Sequence, residues 1–90
     1  MAKKKDILDR MEASPQNDWK IEDFQKVADQ IGLGFKKPTR GSHYTASSVH
    51  SEMIETIPYK RPIKAVYVRK FVRLARYHIR AEQNNEREGK

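Results

Sequence analysis

Apolar positions recur along this chain in two different rhythms, and the change from one to the other divides it. Ile7, Leu8 and Met11 make a short stripe of helical spacing that Ser14-Pro15 closes. A clearer stripe follows, with Phe24, Val27, Ala28 and Ile31 at i, i+3, i+4 and i+7. Glu22 and Asp23 stand near its start, where a helix dipole favours negative charge, and Gly32 is a natural stop. The spacing predicts a helix over 21–31. From residue 33 to residue 59 the helical period disappears. Three short strands are expected there, over 33–37, 43–47 and 53–57, with turns at 38–42 and 48–51. In the middle strand Tyr44 and Ala46 share one face, while His43, Thr45 and Ser47 share the other.

Pro58 is expected to end the third strand, and residues 60–64 to form a cationic loop. A last helix is predicted over 65–80, with Val68, Phe71, Val72, Ala75 and Ile79 as its apolar stripe and Tyr67 and Leu74 beside it. Residues 83–90 are polar and read as a frayed end. The element order is α-α-β-β-β-α. That order predicts an α+β fold, a three-stranded antiparallel sheet with helices packed on one face. One domain over 19–80 is expected, with an N-terminal extension over 1–18 bearing a short helix and a polar tail over 81–90. Trp19 and Phe24 read as core, and His50 and His78 as structural or exposed.

Charge changes this picture more than composition does. The 90 residues carry a formal net charge of +7, from 19 basic and 12 acidic side chains. Residues 1–29 hold 6 basic and 7 acidic groups, whereas residues 30–81 hold 11 basic and 2 acidic. The excess cation therefore belongs to the folded part, which points to a polyanionic partner. There is no cysteine, which excludes a disulfide scaffold and a thiolate zinc site. No stretch resembles a secretory signal or a membrane span, so a cytoplasmic location with no membrane partner is expected.

The chemistry concentrates in residues 36–44, Lys-Lys-Pro-Thr-Arg-Gly-Ser-His-Tyr. His43 follows a Gly41-Ser42 turn and stands behind Lys36, Lys37 and Arg40. No aspartate or glutamate occurs between Asp29 and Glu52, so this segment lacks the carboxylates that hold catalytic Mg²⁺. A lone imidazole among cations suits metal-free acid–base chemistry on a phosphodiester, which proceeds readily only on RNA, whose 2′-OH serves as nucleophile. An unperturbed imidazole titrates near pH 6.5 (about one unit either way in folded proteins), so either proton-transfer role is open to it. Ser42, Tyr44 and Lys60 are equal candidates for a second proton-transfer group. Lys36, Lys37, Arg40, Lys60, Arg61 and Lys64 are candidate phosphate contacts. Arg69, Arg73, Arg76 and Arg80 fall on one stripe of the last helix with no acid beside them, a surface for RNA or an acidic protein. A zinc site from His43, His50 and Glu52 is the weaker alternative, without a thiolate or a helical histidine pair, and no metal or cofactor is expected.

These residues resemble the HicA family of toxins, small RNA endonucleases of bacterial toxin–antitoxin pairs. The resemblance begins at Ile31-Gly32-Leu33-Gly34-Phe35 and continues through Gly41-Ser42-His43-Tyr44 and Thr56-Ile57-Pro58-Tyr59. It closes with the basic run from Lys60 to Phe71, so it spans roughly residues 20–77. The segment 47–51 departs from it, lacking the usual glycine-bearing hairpin. The resemblance implies a double-stranded-RNA-binding-domain-like core, cleavage of mRNA, His43 as the catalytic residue with Gly41 and Ser42 as its positioning turn, and neutralisation by a HicB-like antitoxin. The rival expectations are a non-catalytic RNA-binding module of the same fold and a small basic structural protein.

Overall fold

A computed structural model of the chain describes residues 7–88, and its side chains as far as residue 84. The order is α1 (Ile7–Ala13), α2 (Ile21–Ile31), β1 (Gly34–Lys36), β2 (His43–Ser47), β3 (Ile54–Pro58) and α3 (Ala65–Glu88). The strands form one antiparallel sheet in the order β1-β2-β3, and the architecture is α+β as its sequence pattern requires. Among the described residues no helix is long and apolar enough to cross a membrane.

α2 keeps its predicted limits because both ends are satisfied locally. The Asp23 carboxylate accepts the Lys20 backbone N–H at 3.0 Å, and the Asp23 N–H donates to the Lys20 carbonyl at 2.9 Å. At the other end Gly32 adopts φ 77°, and the N–H groups of Gly32 and Leu33 both donate to the Ala28 carbonyl at 2.9 Å. That left-handed turn closes the helix and drives Leu33 into the core.

Strand alternation puts Phe35, Tyr44, Ala46 and Ile57 on the face covered by helices. Ala46 and Ile57 are fully buried there, with Phe24, Val27, Val68, Phe71 and Leu74. The rings connect these layers. Phe24 meets Phe71 edge-on at 4.9 Å, Phe71 meets Phe35 at 6.2 Å, and Phe35 stacks on Tyr44 at 5.2 Å. Trp19 is buried and its indole N–H donates to the Ser14 carbonyl at 2.9 Å.

Three features differ from the pattern-based expectation. β3 runs over Ile54–Pro58 rather than 53–57, and Pro58, which ends it as expected, is itself paired opposite His43. β3 is an edge strand, so a residue without an N–H is tolerated on its outer side. α3 runs to Glu88 instead of ending near Arg80, because no proline or glycine interrupts the chain from Ala65 until Gly89. Finally, α1 is no appendage: Leu8 and Met11 are buried in the common core against α2 and α3. An amphipathic turn this short is not stable alone and persists only through such packing.

If α1 belongs to the same core, Met11→Ala lowers unfolding free energy by about 2–5 kcal/mol, with one urea transition retained. Unfolding followed by tryptophan fluorescence, which reports on Trp19, and by circular dichroism checks this. A change below about 0.5 kcal/mol would mean that α1 is peripheral.

Candidate active site

The register of β2 with β3 decides where the candidate residues meet. His43 pairs with Pro58, and one step further the Tyr59 N–H donates to the Ser42 carbonyl at 3.1 Å. This brings the β1–β2 loop, with Lys37, Arg40, Gly41 and Ser42, to the same end of the sheet as the β3–α3 loop, with Lys60, Arg61 and Lys64. His43 is exposed on the sheet face opposite the helices. Tyr44, next along, is turned inward by its stacking on Phe35 and an edge contact with Tyr59 at 6.1 Å. That anchor holds His43 outward, since neighbours on a strand take opposite faces.

On the open face the neighbours of His43 are Pro58 directly opposite, then Thr45, Thr56 and Lys36. Thr45 pairs with both Lys36 and Thr56, so these two side chains lie diagonal to His43, roughly 7 Å away by antiparallel geometry. Among described residues none hydrogen-bonds the His43 ring, which stands free toward solvent. Of the candidate proton-transfer partners, Tyr44 is on the wrong face. Ser42 and Lys60 are at the right end of the sheet. Gly41 adopts φ 83°, and a Cβ at this position would meet no atom within 4 Å, so the turn needs glycine for its backbone, not for space.

The cations do not all remain available. Arg61 donates to both carboxylate oxygens of Asp18, its Nε at 3.3 Å and its terminal nitrogen closer still. The hydrogen bond from Arg61 holds the Asp18 carboxyl below its ordinary range. A carboxylate therefore reaches this end of the sheet from the α1–α2 connection, which the acid-free run between Asp29 and Glu52 does not reveal. Lys36, Lys37, Arg40, Lys60 and Lys64 are exposed. The Lys64 carbonyl accepts the Tyr67 N–H at 2.9 Å, so Lys64 stands at the start of α3, whose first turn carries no acid. The positive end of that helix and the loop lysines thus reinforce one another.

The arginine stripe is corrected in one member. Arg76 donates to Glu12 at 2.7 Å and 3.0 Å and to Asp9 at 2.7 Å, so α1 supplies acids for a stretch of α3 that carries none before Glu82. The hydrogen bond with Asp9 is the largest cause raising the Arg76 pKa. Arg69, Arg73 and Arg80 are exposed on the same helix. His43, His50 and Glu52 do not form a site, because His43 begins β2 and His50 and Glu52 lie past its far end.

That far end holds a polar cluster that sequence spacing does not show. His78 is 1% exposed, and its Nε2 lies 3.0 Å from the Ile31 carbonyl, which can only accept. Nε2 therefore carries the proton, and Nδ1 accepts from the Ser48 hydroxyl at 2.7 Å. Ser48 in turn accepts the His50 backbone N–H at 3.0 Å. The only signal of this cluster in the sequence is a histidine on the apolar side of α3. No protein-family model, curated protein or solved structure matches this chain.

Gly41→Ala is expected to destabilise the protein by about 1–2 kcal/mol through the left-handed backbone alone. Urea denaturation checks it; an unchanged midpoint would show that the turn accepts another conformation.

Proposed function

We propose that this chain is a metal-independent endoribonuclease of the HicA-like toxin class, with a double-stranded-RNA-binding-domain-like core. In this reading RNA lies across the open end of the sheet, and His43 promotes attack of a ribose 2′-OH on the adjacent phosphorus. The single observation carrying it is the exposed His43 on an uncovered sheet face, at the end where both cationic loops converge.

The division of labour follows from chemistry. His43 accepts the 2′-OH proton as general base or protonates the departing 5′-oxygen as general acid. Lys36 is the nearest cation on its face, and Lys37, Arg40, Lys60 and Lys64 hold flanking phosphates and offset the charge of the pentacoordinate transition state. Gly41 and Ser42 fix the approach of the strand. Arg69, Arg73 and Arg80 offer a second cationic strip for mRNA or for an acidic HicB-like antitoxin, which in this reading keeps the cytoplasmic toxin inactive. Arg61 and Arg76 are assigned no RNA contact, since each is engaged by acids of its own chain. The product ends in a 2′,3′-cyclic phosphate or its hydrolysis product.

The test is cleavage of an mRNA and of matched DNA in EDTA, wild type beside His43→Ala. RNA alone is expected to be cut, and the substitution to slow it about 10²–10⁴-fold while leaving salt-sensitive RNA binding intact. Binding without cleavage by the wild type would favour a non-catalytic RNA-binding module of the same architecture. Cleavage unaffected by His43→Ala would remove the histidine from the mechanism.

A further inference from the structure

At the opposite end of the sheet from His43, the loop after β2 brings a second and a third histidine together. His50 lies in that loop, and its position is fixed by the Tyr77 hydroxyl, which donates to the His50 carbonyl at 3.1 Å. His78 and Glu82 stand one turn apart on α3, on one helix face. The imidazoles of His50 and His78 are 5.3 Å apart between centroids.

We propose that His50, His78 and Glu82 form a binding site for a divalent transition metal of the zinc class, which staples the β2–β3 loop to α3. One ligand atom from each residue lies within 4.8 Å of the other two. Glu82 Oε2 is 2.8 Å from His50 Nε2 and 3.7 Å from His78 Nε2. A tetrahedral ion with bonds of about 2.0–2.1 Å needs ligand atoms roughly 3.3 Å apart; the two Glu82 separations straddle that value, and the two histidine nitrogens lie within 4.8 Å of one another. Small side-chain shifts would close the set. Two imidazoles and one carboxylate suit Zn²⁺, Co²⁺ or Ni²⁺, whereas Mg²⁺ and Ca²⁺ require oxygen donors.

The surroundings also fit. A ligating imidazole needs its second nitrogen held, and Ser48 already holds Nδ1 of His78. On metal binding through Nε2, the His78 proton moves to Nδ1 and the Ser48 hydroxyl changes from donor to acceptor, both of which it can be. The Ile31 carbonyl, 3.0 Å from that Nε2, then gives up its hydrogen bond and becomes available as a fourth ligand, a second oxygen beside that of Glu82. Entry is open, because the side chains of His50 and Glu82 are 21% and 50% exposed. The site does not depend on the ribonuclease reading, being built from other residues at the other end of the sheet.

Calorimetric titration of the EDTA-stripped, untagged full chain with ZnCl₂ is the direct test. One Zn²⁺ per chain is expected, no binding of Mg²⁺, and visible bands of a four-coordinate ion when Co²⁺ is substituted. His50→Ala and Glu82→Gln, each confirmed folded by circular dichroism, weaken Zn²⁺ binding about tenfold or more, and together they remove it. His43→Ala binds zinc as the wild type does. A wild type that takes up no Zn²⁺, or a folded double variant that binds it with undiminished affinity, would overturn the proposal.

Discussion

The pairing of His43 with Pro58 is the constraint on which the proposed chemistry depends. The period of a strand is two residues, so a slip of one position would send His43 inward and Tyr44 outward. The slip is opposed from both sides. Inward, Ala46 and Ile57 occupy the core and Tyr44 stacks on Phe35, and moving them to solvent would expose the apolar contacts of the central strand. Beyond the paired residues, the Tyr59 N–H is already committed to the Ser42 carbonyl. The same register that buries the core therefore exposes the histidine and draws two basic loops together. Folding and the arrangement of the site are one event.

Electrostatics then sorts the cations into two groups. Arg61 and Arg76 are bound by Asp18, Asp9 and Glu12, acids carried by the N-terminal third of the chain. Exposed ion pairs add little stability, so their main effect is on the surface field. They cancel charge at two points and leave the remaining positive charge on the lysines, Arg40 and the exposed arginines of α3. The near-neutral N-terminal third is thus a partner for the basic remainder within one domain. α1 performs this role while burying Leu8 and Met11, which explains why it cannot be separated from the core.

How much the sequence reveals follows the range of each interaction. α2 is legible because apolar period, first-turn acids and the closing glycine all lie within a dozen residues and agree. The central strand and its two faces are legible for the same reason, and with them the outward direction of His43. The partners of Arg76 and Arg61 are not, since 64 and 67 residues separate the first pairings and 43 the second. A charge stripe without neighbouring acids looks free in a sequence window and is partly neutralised in the fold. The same holds for His78, whose partners Ser48 and Ile31 lie 30 and 47 residues away. That Pro58 is itself paired in the strand it ends escapes a local reading, because its tolerance depends on β3 being an edge, a property of the assembled sheet.

The two kinds of histidine environment show how burial assigns roles to one side chain. His43 faces solvent at the end of the sheet where two cationic loops converge, and no described residue hydrogen-bonds its ring. His78 is enclosed, and an enclosed ring must have both nitrogens satisfied or lose the free energy of leaving a polar group unpaired. The Ile31 carbonyl and the Ser48 hydroxyl meet that demand together and so fix the tautomer. In doing so they tie the end of α2, the loop after β2 and the middle of α3 at a single ring. Replacing that ring by an apolar residue would free a helix-end carbonyl and a buried hydroxyl at once. The polar cluster is consequently a specifying device: it selects the one docking of three segments in which all its donors and acceptors are matched.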